Sequence, residues 1–271
     1  VTSGGDIAAL TERLSGKAPA AGAERLLRRL TRIAVKGEFS GRPTDFTSSG
    51  RVSTSLGAID FGGEMAGDGR VRRFSGTLGA DGFDVGRLLA NDKLGRLSVK
   101  GELDGSYDGT DLKADIEGEV SQLGFNGYDY REVKYNGSVF NKQYRGVITS
   151  DDPNVDFSLD GVLDFNAAKP DYRVRVEVRN FDLHATRFNR RDSVSRMEGI
   201  VTADVSGTSP DNANGTVIVD SLVYVNHIDT VRMGRISLVG DNADDRKFLS
   251  LNSSFVDAEF RSRMSYMEVF D

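Results

Sequence analysis

Counting by twos separates an apolar from a polar register along most of the chain. In YRVRVEVRN, Tyr172, Val174, Val176 and Val178 share one face while Arg173, Arg175, Glu177 and Arg179 take the other. A period of two is that of a strand with one solvated side, the usual pattern of antiparallel sheets. The same register runs through Ile33, Val35 and Phe39, through Leu97, Val99 and Leu103, and through Ile116 and Val120. It continues through Val133, Tyr135 and Val139, past Ile148, and through Val155, Phe157, Leu159, Leu163 and Phe165. The pairs Asp108-Gly109 and Asn136-Gly137 read as turns between such strands. Only the start departs. DIAALTERLSG and AERLLRRLTRI carry Leu, Ala and Ile at helical spacing, with Asp6 as a cap, which predicts one or two short helices over 1–32 ahead of repeated strands over 33–271.

The strands repeat. VKGEFSG (Val35 to Gly41) returns as VKGELDG (Val99 to Gly105) and, with more changes, as VTADVSG (Val201 to Gly207). Aligning Phe83 with Phe181, 98 residues on, superposes GFDVGRLLAN on NFDLHATRFN. Val147 to Gly161 aligns without gaps on Ser250 to Met264 at an offset of 103, pairing Ile148 with Leu251, Ser150 with Ser253 and Phe157 with Phe260. Stacked repeats bury each unit's apolar face against its neighbours and grow by addition. The expected fold is therefore all-β, an elongated, repeat-built curved sheet forming one continuous segment over 1–271, without a mid-chain boundary. Small-angle scattering is expected to show an anisotropic particle.

Composition narrows the class. Glycine is abundant (31 of 271 residues) and proline scarce (5), which suits many strands and bends better than a flexible linker. The longest apolar run, Thr216 to Val225, is interrupted by Asp220 and Ser221 and falls well short of a bilayer span. The absence of cysteine removes disulfides, thiol catalysis and thiolate metal sites. A net charge of −6 with scattered basic residues argues against nucleic acid as the partner. Because the sequence opens at Val1 with no basic start or apolar signal core, it reads as a piece of a longer protein.

Catalytic chemistry finds little footing, and no enzyme, cofactor or metal is expected. His184 and His227 have no neighbours patterned as a nucleophile, triad or metal pair. Asp151 and Asp152 in SDDPN, and Asp241, Asp244 and Asp245 in GDNADDRK, lack the alternating ligands and distal Glu of a calcium loop and read as solvated turns. Arg70, Arg72 and Arg73, like Arg187, Arg190 and Arg191, suit either lipid phosphates or plain solvated loops.

The order VKGEFSG, VSTSLG, FDVGRLL, LGRLSVKGELDG, FNGYDY and SDDPNVDFSLDGVLDF resembles the TamB group of translocation and assembly module proteins, which are AsmA-like. The likeness runs from about Leu10 to Tyr266 and lies in the order of the strands, since no single motif is diagnostic. It implies an inner-membrane-anchored parent protein extended across the periplasm of a Gram-negative cell. It also implies a β-taco groove conducting phospholipid acyl chains, and an Omp85-type outer-membrane barrel bound through regions outside this segment.

Physics permits the same groove. A one-sidedly apolar sheet with little helix to cover it must curl on itself, pair with another sheet or hold an apolar ligand. The expected lining is Val35, Phe39, Val99, Leu103, Ile116 and Val120, then Val133, Tyr135, Val139 and Ile148, then Phe157, Leu159, Leu163, Phe165, Val174, Val176, Val178 and Phe260. Gly37, Gly101, Gly118, Gly137 and Gly161 fall on the apolar register and are expected to mark the crease where the ribbon bends. Gly101→Val should then disturb the fold or close the groove, whereas Ser98→Val, on the opposite face, should be nearly silent. The alternatives are a closed β-sandwich or barrel, an adhesion or ligand-binding module using Tyr128 and Tyr130, and a carbohydrate-active enzyme, the last weakened by the absence of Trp.

Overall fold

Strand makes up 71% of the structure. The computed structural model describes residues 29–266 except 43, 68–69, 166–169 and 244, together with Leu26. The helices predicted over 1–32 lie almost wholly outside these residues. The chain divides into two compact units, Val1–Lys134 and Tyr135–Asp271.

The first unit contains β1 (Ala34–Arg42), β2 (Asp45–Thr54), β3 (Gly57–Ala66), β4 (Arg72–Asp84), the short helix α1 (Val85–Leu89), β5 (Leu94–Tyr107), β6 (Leu112–Phe125) and β7 (Tyr128–Tyr130). Each strand pairs antiparallel with the next. The meander follows from local turns. Asn126 and Gly127 both take positive φ, 54° and 76°, as a two-residue hairpin requires. The Asp108 carboxylate accepts from the backbone N–H groups of Thr110 (2.9 Å) and Asp111 (2.8 Å) to close the next tight turn upstream, as its Asp-Gly sequence predicts.

β8 (Val133–Phe140) straddles the division, and the second unit continues with β9 (Gln143–Asp152), β10 (Val155–Asp164), β11 (Asp171–Asp182), β12 (Ser195–Ser206), β13 (Asn214–Asn226), β14 (Thr230–Met233), β15 (Ile236–Gly240), β16 (Lys247–Ser253) and β17 (Asp257–Ser262). These pair antiparallel in chain order, with β13 bonded to both β14 and β15. Asn136-Gly137, read as a turn from its dipeptide, lies inside β8. The alternation of Val133, Tyr135 and Val139 runs through it and prevails over the local turn preference. The hairpin forms instead at Asn141, where φ is 53°.

The sequence repeat is a structural repeat. β4 loses register between Ala80 and Phe83 on β5, and β11 does so between Val178 and Phe181 on β12, at aligned positions. Such bulges bend a strand and increase its twist. Beyond each bulge an aspartate re-anchors the chain. The Asp84 N–H donates to the Leu56 carbonyl and the Asp182 N–H to the Asn154 carbonyl, both at 2.8 Å, and Leu56 and Asn154 are themselves 98 positions apart. Each carboxylate then caps the turn that follows: Asp84 accepts from Arg87 N–H, and Asp182 from His184 and Ala185 N–H. One copy becomes a five-residue helix and the other a series of turns.

Candidate functional site

Cross-strand pairing collects the apolar register into rows. In the first unit one row runs Val35, Val52, Ile59, Ala80, Val99, Val120. The next runs Gly37, Gly50, Phe61, Leu78, Gly101, Gly118, and a third ends in Gly76, Leu103, Ile116. In the second unit Ile148, Leu159, Val176, Val201, Val219 and Ile236 form one row. Gly146, Gly161, Val174, Ala203, Val217, Leu238 and Leu251 form a second, and Tyr144, Leu163, Tyr172 and Val205 belong to a third that ends at Leu249 and Phe260.

The rows are lined but not covered. Among the described residues the buried large hydrophobics are Ile33, Leu56, Phe83, Val155, Val162 and Tyr266, and none of them is one of the predicted lining residues. Val99, Leu103, Ile116, Val120, Val133, Tyr135, Val139, Ile148, Phe157, Leu159, Leu163, Val174, Val176, Val178 and Phe260 are half-buried. Val35 and Phe39 on β1 are more open, at 65% and 62%, although Phe39 rests on the Phe46 ring at 5.0 Å. Phe165 is exposed at the end of β10 and meets Tyr172 edge-on at 6.2 Å. The opposite faces carry most of the charge, although β10 also buries Val162 there, and they hold cross-strand ion pairs, Arg51 with Asp60 at 2.6 Å and Arg179 with Asp156.

Glycines of the apolar register meet each other across neighbouring strands: Gly37 with Gly50, Gly101 with Gly118, Gly146 with Gly161. A Cβ on Gly37 would lie 2.9 Å from Gly50 Cα, one on Gly161 2.8 Å from Val174 Cα, and one on Gly146 2.5 Å from Gly137 Cα. Neighbouring side chains fill the space. A Cβ on Gly50 would lie 3.1 Å from the Phe61 ring, and one on Gly105 or Gly137 would lie 2.8 Å from the ring of Phe74 or Tyr144. The Tyr144 hydroxyl donates to the Asn136 carbonyl (3.1 Å), with the Val147 carbonyl 3.2 Å away, so the ring lies across two glycine strands. Burial raises the ionisation of Tyr135 and Tyr144 above the usual tyrosine range, and Tyr135 adds to the shift at Tyr144. Tyr144, Phe61 and Phe74 were missed because what singles them out is a glycine on the adjoining strand, a relation that exists only once strands are in register.

Two expectations are corrected. Ser98 is not a silent outward position: it is 8% exposed, its hydroxyl oxygen accepts from Gly82 N–H at 2.9 Å, and the hydroxyl donates to Asp81 at 3.3 Å. The bulge in β4 turns a backbone N–H towards β5, and Ser98 satisfies it. Asp152 is likewise not a solvated turn residue, being 1% exposed with its carboxylate accepting from Asn154 N–H.

Candidate chemistry elsewhere stays dispersed. His184 is exposed, and exposed His227 has its Nδ1 3.9 Å from an Asp192 oxygen. Among the described residues no three His, Asp or Glu side chains converge as a metal site, and no helix is long and apolar enough to cross a membrane. The six arginines of the two basic clusters are exposed. Tyr128 and Tyr130 meet edge-on at 5.0 Å, with Phe125 6.4 Å from Tyr130. No protein-family model, curated protein or solved structure matches the chain.

Proposed function

We propose that the apolar rows hold the acyl chains of phospholipid, and that the chain is a segment of a periplasmic bridge of the TamB kind. On this reading it conducts lipid between inner and outer membranes, and its parent protein meets an Omp85-type barrel elsewhere. The observation that carries the reading is a set of continuous Val, Leu, Ile and Phe rows left half-exposed, with no helical layer among the described residues to cover them. Each methylene removed from water contributes about 0.8 kcal/mol, so a row of similar side chains offers similar affinity at successive positions, as sliding requires. No catalytic step is part of this function.

The test is photo-crosslinking with a phospholipid carrying a diazirine in its acyl chain, followed by peptide mapping. Label is expected on β9–β12 around Leu159 and Val176, and Leu159→Asp or Val176→Asp should remove it locally. Folded variants that label as before would remove the proposed site.

A further inference from the structure

The third row of the second unit contains a gap. Between Val205 on β12 and Leu249 on β16 stand two glycines paired with each other, Gly215 and Gly240. Gly215 has φ +132°, a conformation side chains rarely adopt, and a Cβ on Gly240 would lie 2.8 Å from the Ala213 carbonyl oxygen. Backbone geometry therefore keeps this stretch bare, and above it lies a cavity of about 270 Å³ walled by Val205, Ala213, Val217, Leu238 and Leu249.

One side of the cavity is built shut. Tyr266 is 8% exposed, packs on Phe260 with ring centroids 5.4 Å apart, and donates its hydroxyl to the Asn242 side-chain oxygen at 2.8 Å. Its backbone N–H donates to Asp211 in the 3₁₀ turn Pro210–Asn212, as does the Ser265 hydroxyl, both at 2.7 Å. The two asparagines in the wall are spent on the protein. The Asn242 amide donates to the carbonyls of Ala213 (2.6 Å) and Pro210 (3.3 Å), while its oxygen also accepts from Phe248 N–H. The Asn214 oxygen accepts from Asn242 N–H, and its amide donates to the carbonyls of Asn212 and Asn242. Among the described residues no buried side-chain nitrogen or oxygen lacks a partner. The cavity is partly open and offers a ligand almost no polar contact, so its walls favour hydrocarbon over polar groups.

We propose that this cavity is a terminal binding pocket for the methyl end of a linear aliphatic chain, stopped by Tyr266. It deepens the lipid reading given above and rests on it for the origin of the chain. Roughly 150 Å³ suffices for a benzene ring, so a cavity of about 270 Å³ takes an aliphatic segment of about ten carbons. A linear chain is favoured over a flat ring because the gap continues the row of Tyr172 and Val205, which leads an extended ligand into it.

The experiment labels the full chain with decanoate bearing a terminal diazirine and maps the modified peptides. Label is expected on the segments around Ala213, Leu238 and Leu249. Ala213→Leu, which fills the cavity, should lower it at least tenfold, whereas Leu249→Ala should retain binding and shift preference to a longer chain. Decanoate label confined to other strands, or unchanged by a folded Ala213→Leu, overturns the pocket. Should Ala213→Leu not fold, Leu249→Ala decides alone, and an unchanged chain-length preference overturns it. Naphthalene displacing the probe better than decane also overturns the aliphatic assignment. Phospholipid label around Leu159 in parallel separates the two ideas. If it fails while decanoate marks the pocket, the conducting face is lost and the pocket stands; the reverse result removes the pocket alone.

Discussion

Ser98 falls off the apolar register and Gly161 on it, and both resist change for reasons invisible in the alternation. Replacing Ser98 by Val leaves the Gly82 N–H without its partner and should cost about 1–3 kcal/mol, measured by urea denaturation. Gly161→Val drives a side chain towards the β11 backbone and Val174 and should cost at least as much, about 1–3 kcal/mol from overpacking alone. Asp182 adds a pH signature. Burial pushes its carboxyl up, but the N–H of Ala185, the Arg196 guanidinium and the N–H of His184 outweigh that and hold it below the usual carboxylate range. A lowered folded-state value means that its stabilisation is complete above the unfolded value, about 3.9, and is lost as pH falls through the folded one. Asp182→Asn should therefore be destabilised at pH 7 and show a shallower loss of stability below about pH 4, read from denaturation midpoints across pH.

At the scale of elements, one device occurs twice: a bulged strand, an anchoring aspartate N–H and a capped turn. Its apolar residues differ sharply in cover along a single strand. In β10, Val155 is 8% exposed, whereas Leu159, on the row through Val176, is half-buried. Val155→Asp should cost several kcal/mol because a charge enters packed protein. Leu159→Asp should cost about 1 kcal/mol and still yield folded protein. Equal losses in urea titrations would show that the rows are covered like a core.

For the whole molecule, the consequence of uncovered rows is thermodynamic. Unfolding exposes less new apolar surface than in a closed domain, so the heat capacity change should fall below the usual ~12–15 cal/mol/K per residue in calorimetry. Adding an amphiphile with a saturated chain should raise the melting temperature by mass action, since ligand binds the folded state alone. A full-sized heat capacity change with no response to amphiphile would point to a closed core.

Much of this was determined by the sequence itself. A period of two with charge on the alternate positions has one economical solution in water, so Tyr172 to Arg179 could only be a half-solvated strand, and the repeats of Val35 and Phe83 announced a recurring module. Strand boundaries and the antiparallel meander follow from contacts between chain neighbours. What the tertiary structure decided are relations between strands: that Gly37 faces Gly50, that Tyr144 covers Gly137, that Ser98 serves a bulge, and that Gly215 and Gly240 coincide to open a cavity beneath Tyr266. Register shifts at Ala80, Asp156 and Val178 change which residues oppose one another, and a one-residue slip reverses every facing. The alternating pattern fixes which residues share a face; only the paired backbones fix which of them meet.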